Sequence, residues 1–478
     1  MLFNSFDFLI FFAVVFFLYW FVFNKSLRFQ NLLLLASGYV FYSFWDYRFL
    51  VLLLFSTSVD YFAALKISKA GSIKYKKSWL CFAVCINLGL LCVFKYYNFF
   101  ISSFRELFSL SGINAGSAMI NIILPVGISF YTFHGLSYII DVYRSKVQPT
   151  KNFSAYAVFV SFFPLLVAGP IERATHLLPQ IQTGRVFEYS KGVDGLRQIL
   201  WGYFKKIVIA DNCAGFSDTI FNNYGAYSGS TLVMGAIFFA FQIYADFSGY
   251  TDIAIGVSRL LGIEVVQNFS FPYFSSSIAE FWRRWHMSLT SWFRDYVYIS
   301  LGGNRVGTAR RVINVLIVFL LSGLWHGANL TFLAWGFLHA LFYLPGMLIR
   351  KEKSNMITGY VSGIKHSANV FLSIAATFSF TTFAWIFFRS ENLVAAVNYI
   401  GIIFSTSLIS VPEILPKKFL LLIALFIFIE WQGRHGRYAI EKAGVKWPVA
   451  IRWLFYFCLL LSILLLRGAE QQFIYFQF

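Results

Sequence analysis

The 478-residue chain is 58% hydrophobic, 21% aromatic and only 13% charged, with a mean hydropathy of +0.67. Apolar runs able to cross ~30 Å of hydrocarbon recur along it, which excludes a soluble globular protein and predicts an all-α polytopic integral membrane protein. A transmembrane barrel would instead show short alternating segments. The formal net charge of +18, from 39 Lys and Arg against 21 Asp and Glu, is spread in short clusters between apolar runs. There it orients the chain and meets anionic headgroups of the lipid bilayer, and no nucleic-acid partner is expected.

In chain order, residues 1–7 lack a positive n-region and no small-residue cleavage site follows, so the first apolar run reads as a retained span. Spans are predicted near 6–23, 31–45, 49–65, 79–100, 121–140, 155–169, 197–211, 231–261, 312–348, 368–388, 418–432 and 449–466. Some are doubled, tilted or re-entrant, which gives about 11–12 crossings. No 20–50-residue repeat and no linker to a soluble domain is visible, so one membrane domain fills 1–478. The five cysteines form no disulfide framework; Cys81, Cys85 and Cys92 read as small residues packing between helices, and no metal site is expected.

Charge sets the expected orientation. Lys25 and Arg28 follow the first span, five lysines lie between Lys66 and Lys77, and Arg144, Lys146 and Lys151 follow the fifth span. Trp45 to Arg48 and the Ser/Gly-rich 109–117 carry little positive charge, so the N-terminus is expected outside. Arg305, Arg310 and Arg311, then Arg350, Lys351 and Lys353, then Arg434, Arg437, Lys442 and Lys446 also read as cytoplasmic. The count works only if 393–410, followed by Pro412 and Pro416, does not cross.

Two segments carry candidate chemistry. Residues 275–297 are expected to form one amphipathic helix, with Ile278, Phe281, Trp282, Trp285, Leu289, Trp292, Phe293 and Tyr296 on one stripe. Glu280, Arg283, Arg284, Arg294 and Asp295 lie opposite, and His286 sits at the stripe's edge. The following Ser300-Leu-Gly-Gly-Asn-Arg305 reads as a tight turn with Arg305 at its end. Further on, His326 interrupts an apolar span between Gly323 and Gly327, which are expected to leave the backbone beside the ring open to approach. An ionisable group at membrane depth is costly, so its first reading is functional. Polar groups also punctuate the aromatic run of Asp246 and Asp252, and the stretch containing His134. Interhelical hydrogen bonds are the expected use of most of these.

No Gly-x-Ser-x-Gly elbow, His-Glu-x-x-His or P-loop pattern occurs. What does occur, in order, is Ser137-Tyr-Ile-Ile-Asp-Val-Tyr-Arg144, Phe163-Pro-Leu-Leu-Val-Ala-Gly-Pro-Ile171, Trp201-Gly-Tyr-Phe-Lys-Lys-Ile-Val-Ile-Ala-Asp211 and Ala245-Asp-Phe-Ser-Gly-Tyr-Thr-Asp-Ile-Ala-Ile-Gly256. Glu280-Phe-Trp-Arg-Arg-Trp-His286, Leu301-Gly-Gly-Asn-Arg305, Gly323-Leu-Trp-His-Gly-Ala328 and Phe473-Ile-Tyr-Phe-Gln-Phe478 follow. Taken together they resemble the membrane-bound O-acyltransferase (MBOAT) family, in its bacterial branch of alginate and peptidoglycan O-acetyltransferases and their D-alanyl-transferring relatives.

The resemblance implies a ring of transmembrane helices, with re-entrant or interfacial pieces, around a central tunnel. It implies a catalytic role for His326 in the Trp-His-Gly motif and a second functional histidine at His286. His134 departs from the glutamine expected at its place. Asn329, Trp325, Arg283, Arg284, Arg305 and Asp246 are the candidates for substrate contact or tunnel lining. The implied function is transfer of an acetyl group from a cytosolic thioester, acetyl-CoA or another, toward a cell-envelope polysaccharide. No bound cofactor is expected. An extracytoplasmic SGNH-type acyltransferase partner and a place in the bacterial inner membrane are also implied. Histidine suits this chemistry, because a base near neutrality must take the acceptor's hydroxyl proton. The rival readings are D-alanyl transfer to teichoic acid and, without bond chemistry, a transporter or an envelope scaffold.

Overall fold

The computed structural model describes residues 1–101, 122–349 and 364–476, and among them every regular element is a helix. The Ser/Gly-rich 109–117, the basic cluster Arg350, Lys351 and Lys353, the first residue of the expected 121–140 span and the last two of the C-terminal motif lie outside the described residues. Six helical runs are long and apolar enough to cross a membrane: Leu27–Lys69, Ile73–Ile101, Gly229–Leu260, Thr308–His326, Leu330–Leu348 and Ala368–Arg389. Three shorter apolar helical runs, Phe6–Val22, Leu393–Ile403 and Val449–Leu465, accompany them. The protein is a polytopic α-helical membrane protein.

Several expected spans take a different form. Residues 155–169 do not make one helix: Phe162 leaves the helical region (ψ 106°) between Phe153–Ser161 and the single turn Phe163–Leu166, which Pro164 starts. The run 312–348 is two helices, Thr308–His326 and Leu330–Ile349, whereas 231–261 is one uninterrupted helix, Gly229–Leu260. Leu393–Ile403 has 11 residues, about 16 Å of helix, well short of ~30 Å of hydrocarbon. Its length agrees with a segment that does not cross.

The chain divides into two compact units, residues 1–199 with 253–266, and residues 200–252 with 267–478. In the first, serine caps open helix after helix: Ser5 accepts from the amide of Phe8, Ser26 from Phe29 and Ser72 from Tyr75. Its membrane helices are tied by polar groups. Asn87 donates to Asp60 (2.7 Å) and accepts from Ser56 (3.1 Å), and the Asp60 carboxylate lies so close to Gly135 that a Cβ there would collide with it. At membrane depth such groups have no water to turn to, so they pair across helices.

The helix Tyr189–Tyr203, most of which belongs to the first unit, is followed in the second by a π-turn, Phe204–Ala210, and then by Asp211–Asn222. The wider turn accompanies two buried lysines. Lys205 Nζ meets Asp252 (2.6 Å) and Ser248 (2.9 Å); Lys206 Nζ meets Asp211 (2.9 Å) and Asp246 (3.0 Å). Asp246 and Asp252 lie on Gly229–Leu260, which packs closely enough for Gly249 to face the carbonyl of Gly202. Buried charges of this kind persist only when paired. The helices Thr308–His326 and Leu330–Ile349 form a tight hairpin, with Gly323 against the carbonyl of Phe332 and Gly336 against the carbonyl of Phe319. Backbone-to-backbone contact of that kind is what small residues permit between membrane helices.

Candidate active site

The expected amphipathic helix over 275–297 is broken where it matters most. Ile278–Arg284 ends at Trp285, Met287–Trp292 begins after His286, and a π-turn, Phe293–Tyr298, follows. The predicted apolar stripe is buried as a whole, and Arg283 and Arg294 are exposed. His286 itself has left-handed backbone (φ 42°, ψ 52°), a conformation that costs a residue with a Cβ about 1 kcal/mol or more. Periodicity carries no sign of this break, because the strain is stabilised from elsewhere.

That stabilisation comes from Asn268. Its backbone carbonyl accepts from Met287 N (2.9 Å), and its side-chain oxygen accepts from Ser288 Oγ (2.6 Å) and Ser288 N (3.3 Å). The same oxygen lies 3.1 Å from Nδ1 of His286. An oxygen already receiving the Ser288 amide is an acceptor, so Nδ1 is assigned as the donor and the lone pair falls on Nε2. That nitrogen is buried and has no hydrogen-bond partner. The Nδ2 amide of Asn268 is likewise buried without a partner. Asn268 was not singled out by sequence; only its separation of 18 residues from a motif histidine links the two.

His326 ends its helix and is 5% exposed, among Trp325, Trp335 and Phe388. The ring of Trp325 lies 4.8 Å from His326 and 5.7 Å from His286, centroid to centroid. Tyr475 completes the wall, at 5.7 Å from His326, 6.3 Å from His286 and 6.1 Å from Trp325. The two motif histidines, forty residues apart in sequence, thus border one indole and one phenol.

Tyr475 is held there by Asp246. The carboxylate accepts the amide of Ile474 (2.7 Å) while pairing with Lys206, and Lys206 also donates to the carbonyl of Gln471 (3.1 Å). Asp246 therefore anchors the C-terminal segment beside the site. Of the other sequence candidates, Arg284 pairs with Glu280 (2.6 Å), and Arg305 is exposed on a turn made by Gly302 and Gly303, both with positive φ. Asn329 starts the next helix: its oxygen accepts from Thr331 N (3.0 Å) and its amide donates to the carbonyl of Glu391 (2.8 Å). The glycines flanking His326 do not leave the ring open: Gly327 packs on the ring of Phe332 and Gly323 on that residue's carbonyl.

His339, one turn beyond Trp335, is fully buried and accepts from Trp282 Nε1 at 3.3 Å. In the first unit His134 is also buried, and its Nε2 accepts the amide of Glu172 at 3.0 Å. The Glu172 carboxylate takes His176 Nδ1 (2.9 Å) and the amide of Val266 (2.6 Å). His134 thus serves to hold the loop that positions Glu172. Among the described residues no group of three His, Cys, Asp or Glu could hold a metal ion.

Two buried imidazoles thus share one aromatic wall within a polytopic α-helical membrane protein. The model of the membrane-bound O-acyltransferase family matches residues 132–359, which include both histidines. The chain is 40% identical to a probable alginate O-acetylase of Pseudomonas aeruginosa, over 79% of this chain and 70% of that protein. It is 35% identical to a peptidoglycan O-acetyltransferase of Helicobacter pylori, over 83% of this chain and 79% of that protein. A teichoic acid D-alanyltransferase of Bacillus subtilis is 28% identical over 57% of this chain. The protein belongs to the membrane-bound O-acyltransferase family, and its activity is O-acyl transfer.

Proposed function

We propose that the protein moves an acetyl group from a cytosolic thioester, acetyl-CoA or a related donor, across the bacterial inner membrane for O-acetylation of a cell-envelope polysaccharide. The observation that carries this reading is the shared wall of Trp325 and Tyr475 between His286 and His326. The stronger likeness to O-acetyltransferases than to D-alanyltransferases favours acetyl as the group moved. An extracytoplasmic SGNH-type acyltransferase is the partner that would complete the modification.

In this reading His326 takes the proton of the attacking hydroxyl as its oxygen adds to the thioester carbonyl. The C–S bond then breaks, and the thiolate leaves and is protonated. His286, with its lone pair on Nε2, serves the donor side. The unpartnered Nδ2 of Asn268 is suited to face the developing oxyanion. Trp325 and Tyr475 keep water from the thioester, and Asp246 acts through the segment it anchors.

The deciding experiment is release of free CoA by purified protein in liposomes with acetyl-CoA outside its cytosolic face. Release that depends on an added acceptor, with acetyl found on that acceptor, is the expected result. Transport of intact acetyl-CoA without release would point to a transporter, and turnover only with a D-alanyl thioester would point to teichoic acid chemistry.

A further inference from the structure

The second unit contains a cavity of about 590 Å³ that has no part in the histidine site. It lies between the helices Ile364–Arg389 and Lys417–Gly433, with Tyr244 and Tyr273 on its floor. Its polar groups are already engaged. Tyr244 donates to Glu430 (2.5 Å), Trp201 Nε1 donates to the other Glu430 oxygen (3.2 Å), and Tyr273 donates to the carbonyl of Ala240 (2.7 Å). What remains is a bore of aromatic and aliphatic carbon.

The bore opens at the molecular surface. Phe371 and Phe428, one from each helix, line it and are 70% and 58% exposed. Ala375 and Ala424 line it between them and are also exposed, leaving a gap where larger side chains would close it. Ala368–Arg389 is long and apolar enough to cross a membrane, which would turn this opening toward hydrocarbon. At one end Trp431 lines the cavity, and the guanidinium of Arg434 lies over its ring, 3.9 Å from the centroid. Arg437, Lys442 and Lys446 follow against one acid, Glu441, which pairs with Arg437 (2.7 Å). This is the end that the charge distribution assigns to the cytoplasm, where the leaflet is anionic.

An apolar bore open to hydrocarbon at its side, with a cation stacked at its end, matches an amphiphile with a long chain and a negative head. We propose that the cavity holds an acyl chain of an anionic phospholipid, whose phosphate meets Arg434. Van der Waals packing of the chain along the bore supplies the affinity, since the chain leaves hydrocarbon and not water, and Arg434 supplies the choice of headgroup. The proposal stands apart from the acetyl-transfer reading, since the lining includes neither motif histidine nor the Trp325 and Tyr475 rings beside them.

Native mass spectrometry of the full chain released from nanodiscs of mixed phosphatidylglycerol and phosphatidylcholine tests this. The wild type should retain one phosphatidylglycerol with about a fivefold preference, the size expected of one cation meeting an anionic headgroup. Arg434→Gln should retain lipid without the preference, and Ala375→Phe with Ala424→Phe should retain none. Bromine-labelled phosphatidylglycerol chains should quench a fraction of the tryptophan emission that is missing in Trp431→Phe, a readout that does not depend on the filled variant folding. Equal retention of both lipids by the wild type, retention unchanged in the filled variant, or quenching unchanged in Trp431→Phe would each overturn the proposal. So would displacement of phosphatidylglycerol by stoichiometric oleate, which would make the ligand a fatty acid.

Discussion

At the scale of single residues, both motif histidines have lost their usual freedom. His286 is held by Asn268 in backbone that a helix would not give it, and His326 is boxed by aromatic rings. His326→Ala should leave membrane insertion near wild type and lower acetyl transfer by ~10² to 10⁴, the usual cost of losing a general base. More than about a tenth of the activity remaining would exclude that role. His286→Ala should instead weaken donor use, read as reduced affinity for a non-hydrolysable acetyl-CoA analogue, while His326→Ala binds it normally. Wild-type affinity in both variants would defeat this division. Asp246→Ala removes both a partner of buried Lys206 and the acceptor for Ile474. Because Lys206 keeps Asp211, a loss of about 1.5–3 kcal/mol is expected, the usual size for hydrogen bonds to a charged group, seen as a lower Tm together with lower activity. Tyr475→Ala should reduce activity and also lower the Tm, since it removes a ring packed on Trp325 and both histidines.

Among elements, glycine contacts and a distant carboxylate set how helices meet. Gly323→Ala puts a methyl group into the Phe332 carbonyl, and parting the hairpin should cost about 1–3 kcal/mol; a thermal melt of the purified variant measures it. The start of Gly229–Leu260 is fastened by Glu413, whose carboxylate accepts from Thr231 and from Ser228 Oγ (2.7 Å). The Thr231 hydroxyl, and then that of Ser228, hold the Glu413 carboxyl down at about 2. Because this lies below the unfolded value near 4.3, the clamp's contribution is complete above about pH 4.3 and is lost as pH falls through about 2. Wild type and Glu413→Gln should therefore differ in Tm by a constant amount between about pH 5 and 7, and converge only in strong acid. A difference that changes around neutral pH would contradict the clamp.

For the whole molecule, orientation follows from charge. The five lysines at 66, 69, 74, 76 and 77 surround the helix start capped by Ser72. A cysteine placed at Ser72 should resist a membrane-impermeant thiol label in intact cells and react after lysis. Efficient labelling of intact cells would reverse the topology. The same logic places Arg434 and the cavity end it guards on the cytoplasmic side.

Hydropathy alone was enough to determine an all-helical membrane protein and the location of most helices, because helices are the form in which a long apolar run satisfies its own backbone in lipid. Ordered short motifs were enough to bring His286 and His326 forward together as candidates, since ionisable side chains stand out against an apolar background. Only the tertiary structure decided that the helix over 275–297 breaks at His286, that Asn268 holds the break, and that Asp246 brings Tyr475 to the histidines. It also gave Asn329 a capping role and closed the glycine flanks of His326. The Asn329 cap and the glycine contacts are local. For the break, its Asn268 support and the placing of Tyr475 the reason is shared: periodicity reports the average environment of a segment. A strained residue or a contact across more than two hundred positions is stabilised by partners that no local pattern contains.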